Sequence, residues 1–350
     1  MLDSLINFFA YDLGIDLGTA NTRLFIKDKG VVIREPSVVA RHKKSKEIVA
    51  FGTEARKMIG RTPANLEVVR PLKDGVIADF DATAAMLTYY IRKVHETGRF
   101  IPRLPKPRVV ISIPSGATEV ERKAVQDAAL TAGARKAYLV EKPMAAAIGA
   151  NLDVLNSAGI LVVDIGGGTT DLALISLGGI VQGKSLRQSG DRMNEVLANF
   201  LRLKYSLLVG EVTAEETKME IGSAYLAGKS EEKKMVVRGR SLENGMPVSL
   251  KIEAGEVREA LSPIVNQIVM AIANLIEETP PELLGDITQT GICLCGGGAK
   301  LTGLDRFIFE STKISAWVAE KPEDCVVKGC GKLLENERLL RKVKVTGGLK

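Results

Sequence analysis

Residues 14–25 read GIDLGTANTRLF, and residues 162–174 read VVDIGGGTTDLAL. In both stretches an apolar strand ends in an aspartate, a glycine-containing turn follows, and a second apolar run alternates in the way that a β-hairpin requires. Placing Asp16 on Asp164 aligns four further pairs: Gly18 with Gly166, Thr19 with Gly167, Asn21 with Thr169, and Leu24 with Leu172. This internal repeat predicts two copies of one strand–turn–strand unit.

The glycine turns indicate phosphate binding. No helical pattern follows either turn, which disfavours the dinucleotide-binding and Walker motifs, because both run from a strand into a helix. A glycine turn lets backbone N–H groups approach phosphate oxygens with no Cβ in the way, and successive N–H groups can form an anion-binding nest. Two such hairpins facing each other are expected to clamp a polyphosphate.

Asp16 and Asp164 are the expected metal-side carboxylates. Each would lie at a strand end beside the phosphates, where it can hold Mg²⁺ directly or, as we expect, through water. An isolated Asp-x-Gly is more often a turn in which the aspartate bonds its own backbone. The duplication of both the sequence context and the chemistry favours the metal-binding interpretation.

Three later segments complete the pattern. Residues 291–300, GICLCGGGAK, run from a strand into three glycines and fit a backbone wall against an adenosine. Residues 254–278 have apolar side chains at helical spacing, and TPPE at 279–282 closes that helix. Residues 213–222 are expected to be helical, with Thr213 as N-cap and Glu216 completing a capping box. Spacing alone makes Glu215 and Lys218 a surface ion pair.

Composition restricts the remaining possibilities. The 350 residues are 45% hydrophobic and 26% charged, enough for two lobes with sizeable cores. The net charge of +6 is spread along the chain, so we expect no nucleic-acid partner. The four cysteines lack zinc or disulfide spacing, and Cys293 and Cys295 are expected to be small buried residues. The N-terminus lacks the features of a secretory signal, which predicts a cytoplasmic protein.

The chain resembles the MreB family of bacterial actin-like proteins from about residue 12 to about residue 334. The segments that carry the resemblance are IDLGTANT at 15–22, EPSVVA at 35–40, RPLKDGVIADF at 70–80, VVDIGGGTTD at 162–171 and TPPEL at 279–283. The resemblance implies an α/β, actin-like duplicated ATPase fold with two lobes, each a five-stranded mixed sheet with helices, and ATP in the cleft between them. Lobe I would comprise residues 1–150 and 321–350, and lobe II residues 151–320, with small insertions near 31–74 and 184–253.

The resemblance also implies a site and partners. The protein would bind ATP or ADP with Mg²⁺, polymerise with itself into antiparallel double filaments, attach peripherally to the anionic inner membrane surface, and work with cell-wall elongation proteins to set a rod shape. The residues of this chain that match the family's phosphate contacts are Thr19, Ala20, Asn21, Gly166, Gly167 and Gly168. The residues that match its contacts around the nucleoside are Glu215, Glu216, Thr217, Lys218, Gly296, Gly297, Gly298 and Ala299.

One position departs from the family. In VEKPMAAAIG at residues 140–149, Lys142 stands where the family has a glutamate that orients the attacking water together with the threonine matching Thr169. Positioning of the nucleophile is a necessary part of phosphate hydrolysis, and a charged lysine cannot accept a proton. Hydrolysis would then be slow or absent. Alternatively, Glu141 supplies the carboxylate, although neighbours on a helix diverge by about 100°.

Surface contacts complete the expectations. Residues 1–10 place Leu2, Leu5, Ile6 and Phe9 on one helical face, which suits a membrane interface or burial against the protein. Residues 98–107 carry Phe100 and Ile101 between basic residues, as an anionic leaflet favours. The resemblance places Val120 and Val125 where protofilaments meet, whereas their pattern alone indicates a helix core.

Two other functions within the same superfamily remain as alternatives. A heat-shock-type chaperone needs a further substrate domain and lid after the ATPase segments. A small-molecule kinase needs a catalytic acid directed at a substrate pocket, and the sequence suggests none beyond the phosphate residues.

Overall fold

The computed structural model describes residues 11–96, 106–225 and 233–345. The residues predicted to bind the membrane lie outside these ranges: Leu2, Leu5, Ile6, Phe9, Phe100 and Ile101. The described chain is an α/β protein with two five-stranded mixed sheets, which define lobe I and lobe II below.

Lobe I is formed first along the chain. Its elements are β1 (Leu13–Leu17), β2 (Asn21–Ile26), β3 (Gly30–Pro36), β4 (Val39–His42), β5 (Ile48–Phe51), α1 (Gly52–Lys57), β6 (Leu66–Val69), β7 (Leu72–Lys73), β8 (Val76–Ile77), α2 (Phe80–His95), β9 (Arg108–Ile113), α3 (Glu119–Thr131), β10 (Lys136–Glu141) and α4 (Lys142–Gly149). The five-stranded sheet has the order β10-β9-β1-β2-β3.

Lobe II follows, and the chain then returns to lobe I. Lobe II contains β11 (Ile160–Ile165), β12 (Thr170–Ser176), β13 (Gly179–Leu186), α5 (Gly190–Tyr205), β14 (Leu207–Leu208), α6 (Glu211–Ile221), β15 (Lys234–Ser241), β16 (Pro247–Glu253), α7 (Ala254–Glu277), α8 (Pro281–Thr290), β17 (Ile292–Cys295), α9 (Leu304–Thr312) and β18 (Ala316–Val318). The last helices are α10 (Cys325–Glu335) and α11 (Glu337–Val343).

The two sheets repeat one topology. In lobe II the order is β18-β17-β11-β12-β13, so each strand has a counterpart in lobe I. The first three strands of each sheet pair antiparallel, and the other two join in parallel beside the first. The first strands, β1 and β11, are central and almost wholly buried, as their sequences, apolar apart from Asp16 and Asp164, favour. The predicted fold class is confirmed.

Each lobe carries an additional three-stranded sheet. The first, ordered β5-β4-β6, lies within the stretch predicted as the lobe I insertion. The second, ordered β14-β15-β16, lies within the stretch predicted as the lobe II insertion. The residue boundaries of the lobes themselves remain predictions.

Helices α4 and α10 cross each other in very close contact. A Cβ on Gly149 would lie 1.8 Å from the carbonyl oxygen of Cys325, and a Cβ on Gly329 would lie 1.8 Å from that of Ala145. The backbones of the two helices therefore touch, and only glycine fits at the crossing. This contact fixes the start of α4, and with it Lys142, relative to both sheets.

Two core predictions are confirmed. Helix α7 spans the predicted apolar stretch and begins with a capping box between Glu253 and Glu256. By length and composition it could cross a bilayer, but half of its most apolar window is buried, and it contributes to the lobe II core. Cys293 and Cys295 are buried, as predicted, and Cys325 and Cys330 are buried as well.

Candidate functional site

The two predicted hairpins have the same turn. Gly18 donates its N–H to the carbonyl of Asn21 at 3.2 Å, and Gly166 donates to the carbonyl of Thr169 at 2.8 Å. These are equivalent positions in the repeat, so the duplication seen in the sequence is also a duplication of backbone geometry.

A serine supports each turn from behind. The Ser37 hydroxyl donates to the carbonyl of Gly18 at 2.5 Å, and the Ser189 hydroxyl donates to the carbonyl of Gly167. Backbone N–H groups of Ser37 and Asp191 add bonds of 2.9 and 2.8 Å to the carbonyls of Ala20 and Gly167. These carbonyls of the turns therefore already have donors within the chain. Ser37 and Ser189 were not predicted, because each follows the third strand of its sheet, outside the repeated segments.

The turns face each other at close range. A Cβ on Gly168 would lie 2.2 Å from the Thr19 hydroxyl oxygen, and a Cβ on Gly167 would lie 2.5 Å from the Ala20 Cβ. The N–H of Gly75 also donates to the Thr19 hydroxyl at 2.9 Å. The absence of a side chain at the second turn is what permits this approach.

The N–H groups of the turns remain available. Within the described part of the chain, no hydrogen bond uses the N–H of Thr19, Ala20, Gly167 or Gly168. Buried or half-buried N–H groups normally have partners. Two adjacent pairs of unused donors, with their carbonyls held away, form the kind of concave site that binds anions.

The two predicted metal-side carboxylates have different surroundings. Asp16 accepts a 2.9 Å hydrogen bond from the Ser112 hydroxyl and lies 3.6 Å from the Arg23 guanidinium. Asp164 is buried, and no described residue forms a hydrogen bond or close ion pair with it. Burial raises the pKa of Asp164 to about 7; the charge of Lys142 opposes this shift, and those of Asp16 and Asp171 increase it.

These carboxylates fit a metal that is bound mainly by other ligands. Among the described residues, no group of three or more His, Cys, Asp or Glu side chains converges as a metal site. Mg²⁺ commonly keeps several waters and takes its remaining ligands from one or two carboxylates and from substrate phosphates. The Asp164 oxygens, which lack protein donors, are suited to that arrangement.

A buried network that the sequence did not reveal surrounds Thr169. Its hydroxyl donates to Asp171 at 2.7 Å, and the Ser115 N–H donates to the other oxygen of Asp171 at 3.0 Å. The Ser115 hydroxyl donates to Glu141 at 2.8 Å. Glu141 is thus connected to Thr169 through Ser115 and Asp171. Burial raises the pKa of Asp171, and Lys142 is the strongest opposing influence.

The geometry around Lys142 corrects one assumption. Glu141 is the last residue of β10 and Lys142 the first of α4, so the two are not neighbours on one helix, and the expected divergence of about 100° does not apply. Pro143 in the first helical turn marks this start and was the available sequence signal. Lys142 is only 5% exposed.

Helix α6 begins earlier than predicted. It starts at Glu211 after Gly210, which provides no side-chain cap, so Thr213 is not the N-cap. The Thr213 carbonyl instead accepts a bond from the Thr217 hydroxyl within the helix. Four residues of α6, Glu215 to Lys218, are implied near the nucleoside. Of these, Thr217 is buried and Glu216 is exposed to solvent.

The other two residues of that set make contacts across the cleft and within lobe II. Lys218 donates to the carbonyl of Gly190 at 2.8 Å, and burial lowers its pKa. Glu215 pairs with Arg56 of lobe I at 2.6 Å, so the surface ion pair between Glu215 and Lys218 is not formed. A second pair of the same kind joins Arg70 to Glu211. Lobe I therefore supplies arginines and α6 supplies glutamates where the lobes meet.

The third glycine cluster lies beside the second hairpin. Gly296 has φ of 81°, and a Cβ there would lie 2.8 Å from an Asp164 carboxylate oxygen. Gly297 is exposed, whereas Gly298 packs on Ile165 and Ala299 is buried. The structure thus brings the loop of Gly296–Ala299 next to Asp164.

The two residues implied for filament contact differ in accessibility. Both lie on α3, where Val120 is 79% exposed and Val125 is 6% exposed. Val125 belongs to the lobe I core, as the sequence pattern alone indicates. In a single chain, only Val120 is available for contact with a second copy.

A sequence model of the family described as MreB/Mbl protein matches residues 10–342. The chain belongs to the MreB/Mbl family. The cell shape-determining protein MreB of Escherichia coli (strain K12) is 48% identical over 339 residues, which are 96% of each chain. The cell shape-determining protein Mbl of Bacillus subtilis (strain 168) is 46% identical over 338 residues, which are 97% of this chain and 100% of the relative. The resemblance inferred from the sequence is confirmed.

Solved structures of actin-like proteins agree with this family. MreB5 of Spiroplasma citri bound to ADP has a TM-score of 0.87 and 34% identity, over 95% of this chain and 98% of that one. The same protein bound to AMPPNP gives the same TM-score. A MamK double helical filament has a TM-score of 0.78 at 23% identity, which supports the fold alone.

Proposed function

We propose that this member of the MreB/Mbl family binds ATP or ADP with Mg²⁺ between its lobes and polymerises into filaments. The observation that carries the proposal is the pair of facing turns, whose N–H groups have no partner in the described structure while their carbonyls are bonded from behind. Such a nest suits the phosphates of a nucleotide. The nucleotide-bound MreB5 structures support the nucleotide-binding part of this proposal, and membership of the MreB/Mbl family supports polymerisation.

The resemblance assigns a role in nucleotide binding to each of these residues. Thr19, Ala20, Asn21 and Gly166–Gly168 would hold the phosphates, Asp16 and Asp164 would hold Mg²⁺ through water, and Gly296–Ala299 would line the adenosine. Lys218, Glu215 and their neighbours Glu216 and Thr217 would border the nucleoside. These assignments come from the resemblance, and the proximity of the loops to one another supports them.

Hydrolysis is proposed to be slow. The γ-phosphate of ATP reacts with a water that must be held in line, and the bound metal would neutralise the charge that develops on the phosphates. Thr169 is held by Asp171 and can contribute to positioning that water. Lys142, however, cannot accept the water's proton while it is charged.

A specific contact favours a second possibility, in which Glu141 replaces the family glutamate. Its carboxylate is linked through Ser115 and Asp171 to Thr169. Phosphate release from purified filaments, measured for the wild type, Lys142→Glu and Glu141→Gln, separates the two. We expect Lys142→Glu to accelerate release. Equal rates for the wild type and Lys142→Glu, with loss of activity in Glu141→Gln, would instead assign the role to Glu141.

The cellular role is proposed from the family. The filaments would be antiparallel and double, would lie in the cytoplasm against the anionic inner face of the cell membrane, and would act with cell-wall elongation proteins to set rod shape. The role of the MreB and Mbl relatives, cell-shape determination, supports this proposal.

Electron microscopy of the purified chain with ATP and anionic liposomes tests polymerisation and membrane binding together. Paired filaments on the lipid surface are expected. Liposome co-sedimentation after deletion of residues 1–10 and replacement of Phe100 and Ile101 by serine tests the membrane residues, since full retention of binding would exclude them. Absence of filaments at every nucleotide condition would contradict the proposal.

A further inference from the structure

Lys142 is a buried cation without a direct partner. The residue is 5% exposed, yet its ammonium forms no hydrogen bond with any residue that the structure describes and has no described carboxylate within 4.0 Å. Its Nζ is not one of the buried side-chain nitrogens that lack a partner, so the ammonium keeps some contact with solvent. A largely buried lysine that ends in an accessible ammonium without a partner leaves room for an anion that is not part of the chain.

The position of Lys142 is in the predicted nucleotide site. Strands β1, β9 and β10 are parallel, so their carboxyl ends meet at one edge of the lobe I sheet. Asp16, Ser115 and Lys142 all lie at or just beyond those ends. Ligands commonly bind outside the carboxyl ends of parallel strands.

The surrounding carboxylates create a need for positive charge. Asp164 and Asp171 lie opposite each other in the β11–β12 register, and both are buried. Arg23 lies close to Asp16, but no described residue pairs closely with Asp164. Lys142 is the cation that acts most strongly on both Asp164 and Asp171.

We propose that the Lys142 ammonium binds the phosphates of the nucleotide alongside Mg²⁺, so that the affinity of this chain for ATP or ADP falls little when the divalent cation is removed. The inference rests on the nucleotide binding proposed above. Its three N–H donors are unused in the described structure, and phosphate oxygens are their natural acceptors. Replacing Lys142 by glutamate would change the local charge by two units, which is the charge of one Mg²⁺ ion.

The test is the affinity for a fluorescent ATP analogue, titrated with Mg²⁺ and with EDTA. For the wild type we expect the two dissociation constants to agree within about threefold, since the ammonium remains in place. Lys142→Glu should lose more than about tenfold in affinity when Mg²⁺ is removed. Lys136→Glu is the matched control, because it changes the charge equally but lies exposed at the start of β10, and it should behave like the wild type.

The outcomes separate the inference from the function on which it rests. A wild type that loses as much affinity in EDTA as Lys142→Glu overturns the inference and leaves nucleotide binding intact. Absence of binding by all variants, with and without Mg²⁺, overturns both. Should Lys142→Glu fail to fold, Lys142→Gln removes the charge without adding one, and an Mg²⁺ dependence greater than that of the wild type is expected. Thermal melting without nucleotide reports any purely structural role, which would not alter the ratio of the two constants.

Discussion

The two hairpins share their backbone but differ in charge. In lobe I, Asp16 faces Arg23 across the strand pair, and in lobe II, Asp164 faces Asp171 at the equivalent position. The first hairpin therefore neutralises its own carboxylate, while the second places two carboxylates together. The two hairpins share the backbone shape of the turn, and the difference at one pair of positions leaves the second hairpin dependent on cations from elsewhere.

The largest expected effect is on the free energy of unfolding, when a substitution in lobe I removes the charge difference between the two hairpins. Arg23→Asp gives lobe I the like-charged pair of lobe II and removes the guanidinium that lies 3.6 Å from both Asp16 and Asp324. Loss of one partner from a largely buried pair is expected to lower the free energy of unfolding by about 3 kcal/mol. Urea denaturation measures this loss.

Arg34→Asp is the matched control for that substitution. Arg34 pairs with Asp324 at 2.7 Å but is half exposed and is not paired with Asp16. We expect a smaller loss of stability, because the Arg34 side chain is half exposed, so water can replace part of what its guanidinium gives to the buried Asp324. Equal losses would mean that Asp324, and not the hairpin carboxylate, determines the effect of Arg23.

The shared backbone geometry is tested at the facing turns. In Gly168→Ala the new Cβ would lie 2.2 Å from the Thr19 hydroxyl oxygen, so the turns must separate. Overpacking of this kind costs about 1–3 kcal/mol, and we expect nucleotide affinity to fall about tenfold or more. Fluorescent ATP titration measures it. Gly285→Ala, where a Cβ meets open space, should leave the affinity unchanged; equal affinities for the two variants would contradict the clamp.

The like-charged pair in lobe II predicts a pH dependence. Burial raises the pKa of Asp164 from 3.8 to about 7, so the folded chain holds a proton that the unfolded chain releases. The stabilisation from Asp164 is complete below the unfolded pKa and is lost as the pH rises through about 7. Unfolding of the nucleotide-free chain in EDTA should show this decline, and Asp164→Asn should reduce it. Parallel pH profiles for the two proteins would exclude Asp164 as its source.

Local patterns predicted the hairpins, whereas contacts between distant segments could not be predicted. The turns depend on a few consecutive residues, so Gly18 and Gly166 were found from sequence alone. The network from Glu141 to Thr169 requires Ser115, which reaches Asp171 only because the lobes meet. The repeat alignment already places Arg23 on Asp171 and so predicts the difference in charge between the hairpins. How strongly that difference affects Asp164 depends on burial, which the sequence does not show. Capping rules misplaced the start of α6, because Gly210 precedes it without a side-chain cap.

The two lobes also contribute opposite charges where they meet, arginines from lobe I and glutamates from lobe II. This difference predicts the smallest of the effects, a change in the rate of nucleotide release. Arg56 of lobe I pairs with Glu215 of lobe II at 2.6 Å, and both side chains are partly exposed. Such a pair contributes about 0.2–1 kcal/mol, so Glu215→Gln should accelerate release of a fluorescent nucleotide by at most about fivefold. Stopped-flow displacement by unlabelled ATP measures the rate, and the acceleration should fade at high salt.

Two variants establish whether Glu215 acts by closing the cleft or by contacting the nucleoside. Glu54→Gln removes an ion pair of equal length, 2.6 Å, that lies within α1 and does not join the lobes, so it should leave release unchanged. Arg56→Gln breaks the same cross-cleft pair from the side of lobe I. If closure is the cause, Arg56→Gln accelerates release as much as Glu215→Gln does. If only Glu215→Gln does so, the carboxylate acts on the nucleoside directly, and the charge difference between the halves at the cleft mouth has no part in retaining the nucleotide.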